Sequence, residues 1–434
     1  MVNISHNPFI IGQPVPPGDP AFVGRKTEIA TAFDQIHNRS NLALWGGSGI
    51  GKSSLLEQLT SPKVWQQQEQ DRSQAVIVLF SCLNISPFRS TSFWEEVLSL
   101  VRDEMDNDSQ LQAQIKIFLE QGQATKDSLR RVLRKLGKKG KFLLLLVDDY
   151  DAALIPNEQY TEADIETFLS ECRSLAYHSR ERQYLSMIVT SSRRLNKIGP
   201  PLKPGSSPWY NHYLFQQFKA FTEAETQELL GKTMTLALQE GVRDIAGGNP
   251  ALLQIAGYLL YRATESGTKQ MADVEAFAKE FESAARHYFQ DIWSLSNELE
   301  QTLLMLLALS NLKGRLHNQR YDLRDLEIIL SQKGRELTNL EERGVISYTV
   351  EEGKKQYFFS SSIMERWVIQ ELSNSDDVSL ENRKKILLNL MSREQAKEIT
   401  TAIQWLWQYK EEMPATLEWI GRIVKALPQG FLFG

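Results

Sequence analysis

A glycine-rich run in the first part of the chain has the residue types and spacing that bind phosphate. With the residue after it, the run reads Gly46-Gly47-Ser48-Gly49-Ile50-Gly51-Lys52-Ser53-Ser54. Its glycines let successive backbone N–H groups surround phosphate oxygens, and the N-terminus of a following helix favours an anion. In this pattern Lys52 reaches the β- and γ-phosphates and the Ser53 hydroxyl coordinates Mg²⁺. The run predicts a nucleotide site; the alternative is a glycine-rich loop that binds nothing.

Two carboxylates, Asp148 and Asp149, follow the apolar run 142–147. The run has the composition of a buried strand, so both side chains lie at the strand's carboxyl end. Beside a phosphate loop, Asp148 would hold Mg²⁺, usually through water. Asp149 would orient or deprotonate the attacking water. A polar turn after a core strand is the alternative.

Two weaker signals lie further along the chain. The apolar run 185–190 is followed by the polar run SSRR, in which Ser192 or Arg193 could sense the γ-phosphate. A solvated loop is the alternative. Residues 247–250, Gly-Gly-Asn-Pro, precede an apolar helix. By composition they form a turn with Pro250 in the first helical turn.

The elements around these residues alternate between strands and helices. Strands that alternate with helices predict an α/β domain with a parallel sheet covered on both faces. From residue 221 to about residue 288 only helices are predicted. Three further helices and a hairpin then follow, which is the order of a winged helix. The predicted strands are 41–45, 76–82, 142–147, 185–190 and 213–218, and the hairpin is 345–350 with 356–360.

This order predicts a P-loop parallel sheet with a helical lid, followed by a winged helix and an all-α C-terminal region. The segments are an N-terminal extended segment, a nucleotide-binding domain, a lid, a winged helix and a helical adaptor region. Their predicted bounds are 1–21, 22–220, 221–292, 293–374 and 375–434.

The composition limits the function classes. The 434 residues carry a net charge of −5, which argues against a protein whose main task is to hold nucleic acid, although one small basic face is compatible with it. Cys82 and Cys172 lie far apart and match no metal spacing. The N-terminus lacks the pattern of a signal peptide, and the longest apolar run is too short to cross a bilayer. We therefore expect a cytoplasmic protein without a membrane partner.

Two C-terminal features bear on partners. The helix that would read DNA in the winged helix contains Arg335 and Arg343, but also Glu336, Glu341 and Glu342. These glutamates offset the arginines, so an internal packing or hinge module is favoured over DNA binding. The tryptophans of the last segment could form a partner surface or simply pack in the core; they are Trp405, Trp407 and Trp419.

Taken together, these motifs resemble the STAND branch of P-loop ATPases, which is close to the AAA+ proteins and the archaeal ATPase group. The sequence GGSGIGKS resembles that family's Walker A loop, LLLLVDDYD its Walker B strand and VTSSRR its sensor 1. The resemblance implies that Pro250 of the GGNP motif packs on the adenine. It also implies that a "VGR" box lies against the base and ribose; that box is Phe22-Val23-Gly24-Arg25.

The resemblance implies a switch that rests with ADP, opens with ATP and Mg²⁺, and then forms a homo-oligomer to activate an effector. Many bacterial relatives serve in signalling or defence, including antiviral defence. No effector segment is recognisable, so a protein effector or sensor partner would bind through the C-terminal helices. Such a protein hydrolyses ATP, with Lys52 and Asp149 as its catalytic residues.

Asp149 stands where many archaeal relatives carry Glu, and the shorter side chain sets the carboxylate back by one C–C bond, about 1.5 Å. The resemblance therefore favours slow hydrolysis. Two alternatives stay open: an origin-recognition-like ATPase that binds DNA through its winged helix, and a scaffold that binds nucleotide without cleaving it.

Overall fold

A computed structural model gives the fold of the chain. It describes residues 7–408, apart from 106–107, 203–204, 206, 232–233, 266–273, 312–314, 317–318, 321–322, 324–325, 352 and 375–376. Contacts divide the chain into two compact units. Over these residues, the first contains 7–12, 47–50 and 219 onward, and the second contains 13–46 and 51–218.

A five-stranded parallel sheet forms the centre of the second unit. Its strands are β1 (Asn41–Trp45), β2 (Ala75–Ser81), β3 (Phe142–Asp148), β4 (Leu185–Ser191) and β5 (Tyr213–Gln217). They are ordered β2-β3-β4-β1-β5, and every neighbouring pair is parallel. The predicted α/β fold is confirmed, and the carboxyl ends of β1, β3 and β4 meet at one edge of the sheet.

Burial explains why these segments form strands. Every residue of β1 and β4 is buried, as is all of β3 except Asp148. Such continuous apolar runs are typical of strands covered on both faces. The flanking helices are α1 (Lys26–His37), α2 (Lys52–Thr60), α3 (Pro62–Gln67), α4 (Ser90–Asp103), α5 (Ser109–Glu120), α6 (Lys126–Lys138), α7 (Glu162–Arg173) and α8 (Leu195–Ile198).

The first unit is mainly helical. Its first four helices are α9 (Glu223–Leu230), α10 (Leu236–Ala246), α11 (Pro250–Glu265) and α12 (Val274–Ser294). They occupy the predicted lid. Three helices and a hairpin follow, which confirms the winged-helix order. These are α13 (Glu298–Asn311), α14 (Leu326–Ser331), α15 (Gly334–Glu342), β8 (Ile346–Glu351) and β9 (Lys354–Phe359).

The hairpin is antiparallel, with Ile346 opposite Phe359. A short ladder that the sequence did not predict joins β6 (Arg315–Leu316) to β7 (Gln319–Arg320). The chain continues in α16 (Ser362–Asn374), α17 (Asp377–Leu390) and α18 (Arg393–Gln408).

The helical C-terminal region is confirmed as far as residue 408. The side chains of Trp405 and Trp407, and all of Trp419, lie outside what the structure describes. The predicted segment bounds stay predictions. Within the described ranges, no helix is both long and apolar enough to span a membrane.

Candidate nucleotide-binding site

The glycine loop connects β1 to α2. The Gly46 N–H donates to the Ser191 carbonyl at 3.2 Å, which joins the start of the loop to the end of β4. Gly49 and Gly51 have φ of +73° and +94°, a region that glycine enters without a steric cost. Lys52 is the first residue of α2, so the loop delivers the helix N-terminus to its open side.

The cationic and hydroxyl groups of the loop differ in their contacts. The Lys52 ammonium donates to the Gly46 carbonyl at 2.8 Å, so it is folded back over the loop. The Ser54 hydroxyl accepts from the Val15 N–H at 3.0 Å. Ser53 is half-buried one position earlier, where the family pattern places the Mg²⁺ ligand. Ser54 therefore anchors the N-terminal segment, and Ser53 is the better candidate for the metal.

Asp148 ends β3 and is held by the neighbouring strand. The Thr190 hydroxyl donates to Asp148 Oδ1 and also accepts from the Asp149 N–H, at 3.2 Å for the second bond. Thr190 has no exposed surface. This buried hydroxyl fixes the orientation of the carboxylate that is predicted to hold Mg²⁺.

Asp149 has an unusual backbone and environment. Its φ of +49° is left-handed, a conformation in which Asp and Asn are enriched among non-glycine residues. The Ser81 hydroxyl, at the end of β2, donates to Asp149 Oδ2 at 2.6 Å. Burial and the neighbouring Asp148 raise the pKa of Asp149 above its ordinary value. A short carboxylate with a raised pKa suits proton acceptance near neutral pH.

The loop after β4 is tied to a third carboxylate. Asp151 Oδ2 accepts from the Ser192 N–H at 3.1 Å and from the Ser192 hydroxyl at 2.5 Å. The Ser191 hydroxyl donates to the Arg193 carbonyl at 2.6 Å, and the Arg194 guanidinium lies over the Phe215 ring. Ser192 is thus held by Asp151, two residues after Asp149.

Glu57 lies on α2, one turn after Ser53. Burial and Asp148 raise its pKa. The Glu57 carboxylate therefore lies close enough to the Asp148 carboxylate for the two to repel each other. Neither the glycine motif nor the strand motif singles out this residue.

The predicted base and ribose box is tightly packed. Val23 and Arg25 are buried, and Phe22 is half-buried. The Arg25 guanidinium pairs with Glu28 at 3.3 Å and lies 4.8 Å from the Phe218 ring centroid. These contacts fix Arg25 at the start of α1; its role against a nucleoside stays a prediction.

The tip of the loop, Gly47–Ile50, belongs to the same compact unit as the Gly-Gly-Asn-Pro turn. The Asn249 side-chain amide donates to the Ser48 carbonyl at 3.0 Å, and the Ala251 N–H donates to the Gly49 carbonyl at 3.1 Å. The Ser48 hydroxyl donates to Asp291 on α12 at 3.0 Å. Pro250 is buried at the first position of α11.

Gly47 in this tip is also closely packed. A Cβ there would lie 2.2 Å from the Arg343 carbonyl oxygen, so no larger residue fits without a backbone shift. Arg343 is itself fixed because its guanidinium pairs with Glu300 at 3.0 Å, with both side chains almost completely buried.

The donor atoms near Asp148 suit a hard cation. Carboxylate and hydroxyl oxygens are the ligands that Mg²⁺ prefers, and Mg²⁺ usually takes only one or two from the protein while phosphate and water supply the rest. Among the residues that the structure describes, no group of three or more His, Cys, Asp or Glu side chains could hold a metal by itself. The site therefore fits Mg²⁺ bound together with a nucleotide.

Comparisons with known proteins agree with this geometry. Residues 21–179 match the family model described as "AAA ATPase domain". This part of the chain is therefore similar to an AAA-type P-loop ATPase domain. The match spans the glycine loop, both carboxylates and Ser81. No curated protein matches the chain.

One solved structure shows a similar fold at a TM-score of 0.50. A Walker-type ATPase of Pyrococcus abyssi is 18% identical, with a TM-score of 0.50 over 83% of this chain and 99% of that one. The Aeropyrum pernix ORC2 protein in ADPNP–ADP complexes is 14% identical, with a TM-score of 0.49 over 84% and 98%. Drosophila ORC bound to DNA is 13% identical, with a TM-score of 0.36 over 82% and 88%.

Proposed function

We propose that this chain is an ATP-binding, slowly hydrolysing molecular switch of the STAND type. The observation that carries the proposal is a set of contacts within the first unit, between the tip of the phosphate loop and residues 249–291. The Asn249 side-chain amide donates to the Ser48 carbonyl, and the Ala251 N–H donates to the Gly49 carbonyl. The Asp291 carboxylate accepts from the Ser48 hydroxyl.

A bound nucleotide could strengthen or weaken these hydrogen bonds. A ligand shifts an equilibrium only through different affinities for the two states. A γ-phosphate at the loop would place negative charge near the Asp291 carboxylate, whereas ADP brings less charge there. ATP would therefore weaken the contact between Asp291 and Ser48 more than ADP does, which is the differential interaction that a switch needs.

The phosphate loop and the carboxyl ends of the strands supply the chemistry. The loop amides and Lys52 bind phosphate oxygens, while Ser53 and Asp148 would hold Mg²⁺. Bound Mg²⁺ neutralises phosphate charge. Thr190 orients Asp148 and Ser81 orients Asp149, which positions the attacking water and accepts its proton. Ser192, held by Asp151, would sense the γ-phosphate.

The backbone at Asp149 supports slow hydrolysis. The left-handed φ of +49° favours Asp over the longer Glu, because Asp tolerates this region better. The short side chain then holds its carboxylate further from the water than Glu would. A long-lived ATP state follows, which suits a switch better than a motor.

The origin-recognition-like alternative loses support at the winged helix. Arg343, one of its two candidate phosphate-binding arginines, is 5% exposed and pairs with the buried Glu300. That leaves Arg335 beside Glu336, Glu341 and Glu342 on and around α15. A net negative helix is a poor partner for DNA phosphates.

The remaining features of the proposal rest on resemblance. They are a cytoplasmic location, homo-oligomerisation on activation, a protein effector or sensor bound through α17 and α18, and a role in bacterial signalling or defence. ATP, ADP and Mg²⁺ are the proposed ligands.

Nucleotide binding is tested by calorimetry with Lys52→Ala. Lys116→Ala is the matched control, because Lys116 is an exposed lysine of α5 whose contact is with Glu120. We expect the Lys52 variant to lose most of its ATP affinity and the control to keep it. Wild-type affinity in Lys52→Ala would remove the phosphate loop from the mechanism.

The switch is tested by light scattering after size exclusion with ADP, ATP and a slowly hydrolysed ATP analogue. We expect a rise in mass with ATP and the analogue but not with ADP. Asp291→Asn should shift this rise to lower ATP concentration, because it removes the charge that opposes the γ-phosphate. The same mass with all three nucleotides would argue for a scaffold instead.

A further inference from the structure

One surface of the ATPase unit is strongly basic although the whole chain has a net charge of −5. Between residues 126 and 141, eight of sixteen residues are Lys or Arg, and Asp127 is the only acidic one. This segment contains α6 and the turn into β3. The phosphate loop and the Walker B carboxylates make no use of it.

The structure places these cations on one face. The apolar residues of α6 are completely buried against the core; they are Leu129, Val132, Leu133 and Leu136. Arg131, Arg134 and Lys138 are exposed on the opposite side, and Lys135 is half-buried beside them. Residues three and four apart on a helix are neighbours, so these four side chains form a continuous stripe.

Three carboxylates pair with basic residues of this segment: Glu181 and Asp108 on neighbouring parts of the chain, and Asp127 on α6 itself. Glu181 accepts from both Arg130, at 3.2 Å, and Arg134, at 2.6 Å. Glu181 is only 4% exposed, so it lies beneath the two arginines and holds them outward.

The other two carboxylates lie at the ends of the stripe. Asp127 pairs with Arg130 at 3.3 Å, and Asp108 pairs with Lys139. Within the described part of the chain, Arg131, Lys135 and Lys138 form no ion pair.

Neighbouring residues extend the positive charge. The turn Arg180–Tyr184 packs on α6 and adds Arg180 and Arg182, both exposed. Lys141 directly precedes β3, so the stripe runs toward the amino end of the sheet. The phosphate loop and Asp148 lie at the carboxyl end. The basic face is thus separate from the nucleotide site.

We propose that Arg131, Lys135 and Lys138 of this stripe bind the phosphate backbone of a nucleic-acid duplex without sequence preference. Cations on a rigid helix neutralise phosphates and release counterions, which is the main source of non-specific binding. A structural role for the lysines is the alternative, because cations near a helix C-terminus complement the helix dipole. Arg131 lies in the middle of α6, so this role does not account for its position.

The composition of the face distinguishes a duplex from other anionic partners. Single strands bind through base stacking on aromatic side chains; α6 has none, and Tyr184 of the adjoining turn is half-buried against Gly137. Membrane-surface helices insert large apolar residues, and every large apolar residue of α6 faces the core. A duplex presents phosphates at regular spacing, and the cations of this face can bind them without aromatic or apolar contacts.

The test is fluorescence anisotropy of the full chain with a labelled duplex of about 30 base pairs, over a salt series from about 50 to 200 mM. The variant is Arg131→Gln/Lys135→Gln/Lys138→Gln. Arg335→Gln/Lys354→Gln/Lys355→Gln is the matched control, because it removes three exposed cations from the winged helix.

The stripe variant should lose at least roughly tenfold in affinity at 100 mM salt, with the slope of log affinity against log salt smaller by about 2.7. The control should keep wild-type affinity. Both variants should keep the wild-type melting temperature and ATP affinity, so that a failure here is separate from any failure of the proposed switch.

Three outcomes would overturn the proposal. The first is no duplex binding by the wild type at the lowest salt. The second is loss in the winged-helix variant with none in the stripe variant. The third is binding to phosphatidylserine vesicles, weakened in the stripe variant, when duplex binding is absent.

Discussion

Thr190 offers the sharpest test of the proposed magnesium site. It is fully buried in β4, and its hydroxyl joins two groups of β3, the Asp148 carboxylate and the Asp149 N–H. Thr190→Val keeps the size and branching of the side chain and removes only the hydroxyl. It therefore removes these two hydrogen bonds without leaving a cavity.

The size of the expected destabilisation follows from the two groups that the Thr190 hydroxyl contacts. A hydrogen bond to a charged group contributes about 1.5–3 kcal/mol, and the half-buried Asp148 carboxylate would lose such a bond. The Asp149 N–H keeps a second acceptor, Asp148 Oδ1 at 3.2 Å, so its loss adds little. We expect Thr190→Val to lower the free energy of unfolding by about 1.5–3 kcal/mol. Loss of an outer-shell partner should also weaken Mg²⁺ binding by about tenfold or more.

Two measurements check this expectation. Urea unfolding gives the stability, and ATP turnover against Mg²⁺ concentration gives the midpoint for the metal. Thr190→Ser is the matched control, because it keeps the hydroxyl that bonds Asp148, and it should stay near the wild-type midpoint. A Mg²⁺ midpoint that does not move in Thr190→Val would refute the reasoning, whatever happens to stability.

Four further outcomes are expected. Asp149→Asn should keep ATP binding in calorimetry and abolish most single-turnover hydrolysis; unchanged turnover would remove Asp149 from the mechanism. Burial and Asp148 raise the pKa of Asp149, so wild-type turnover should fall as pH drops through that raised pKa, at higher pH than for an ordinary Asp. Because the folded pKa exceeds the unfolded one, ionisation of Asp149 destabilises the fold above that pH, and Asp149→Asn should melt at higher temperature at pH 7. Arg343→Met should lower the free energy of unfolding by about 3–5 kcal/mol because it leaves Glu300 buried without its cation, and Arg343→Met/Glu300→Leu should recover most of it.

The parts of the site that could be predicted are local in sequence. The glycine spacing, the strand that precedes it and the paired carboxylates after β3 are each readable within a dozen residues. The partner of each functional group could not be read in this way.

Ser81 illustrates why the hydrogen-bond partners of the functional groups could not be predicted from local sequence. It lies 68 positions before Asp149 and bonds it only because β2 is the neighbour of β3 in the sheet. The order of strands in a parallel sheet depends on how the crossover helices pack, which a local pattern does not record. That Ser192 or Arg193 senses the γ-phosphate stays a prediction, and the partner of Ser192, Asp151, lies 41 positions earlier in the chain.

By itself, the sequence determined the phosphate loop, the two carboxylates and the α/β class, because glycine freedom, charge and apolar period act over short stretches of chain. Tertiary structure alone decided that Thr190 and Ser81 flank those carboxylates from either side of β3. It also decided that Asn249 and Asp291 bond the tip of the loop. Those contacts join residues tens to hundreds of positions apart, and only the packing of strands and helices brings them within hydrogen-bonding distance.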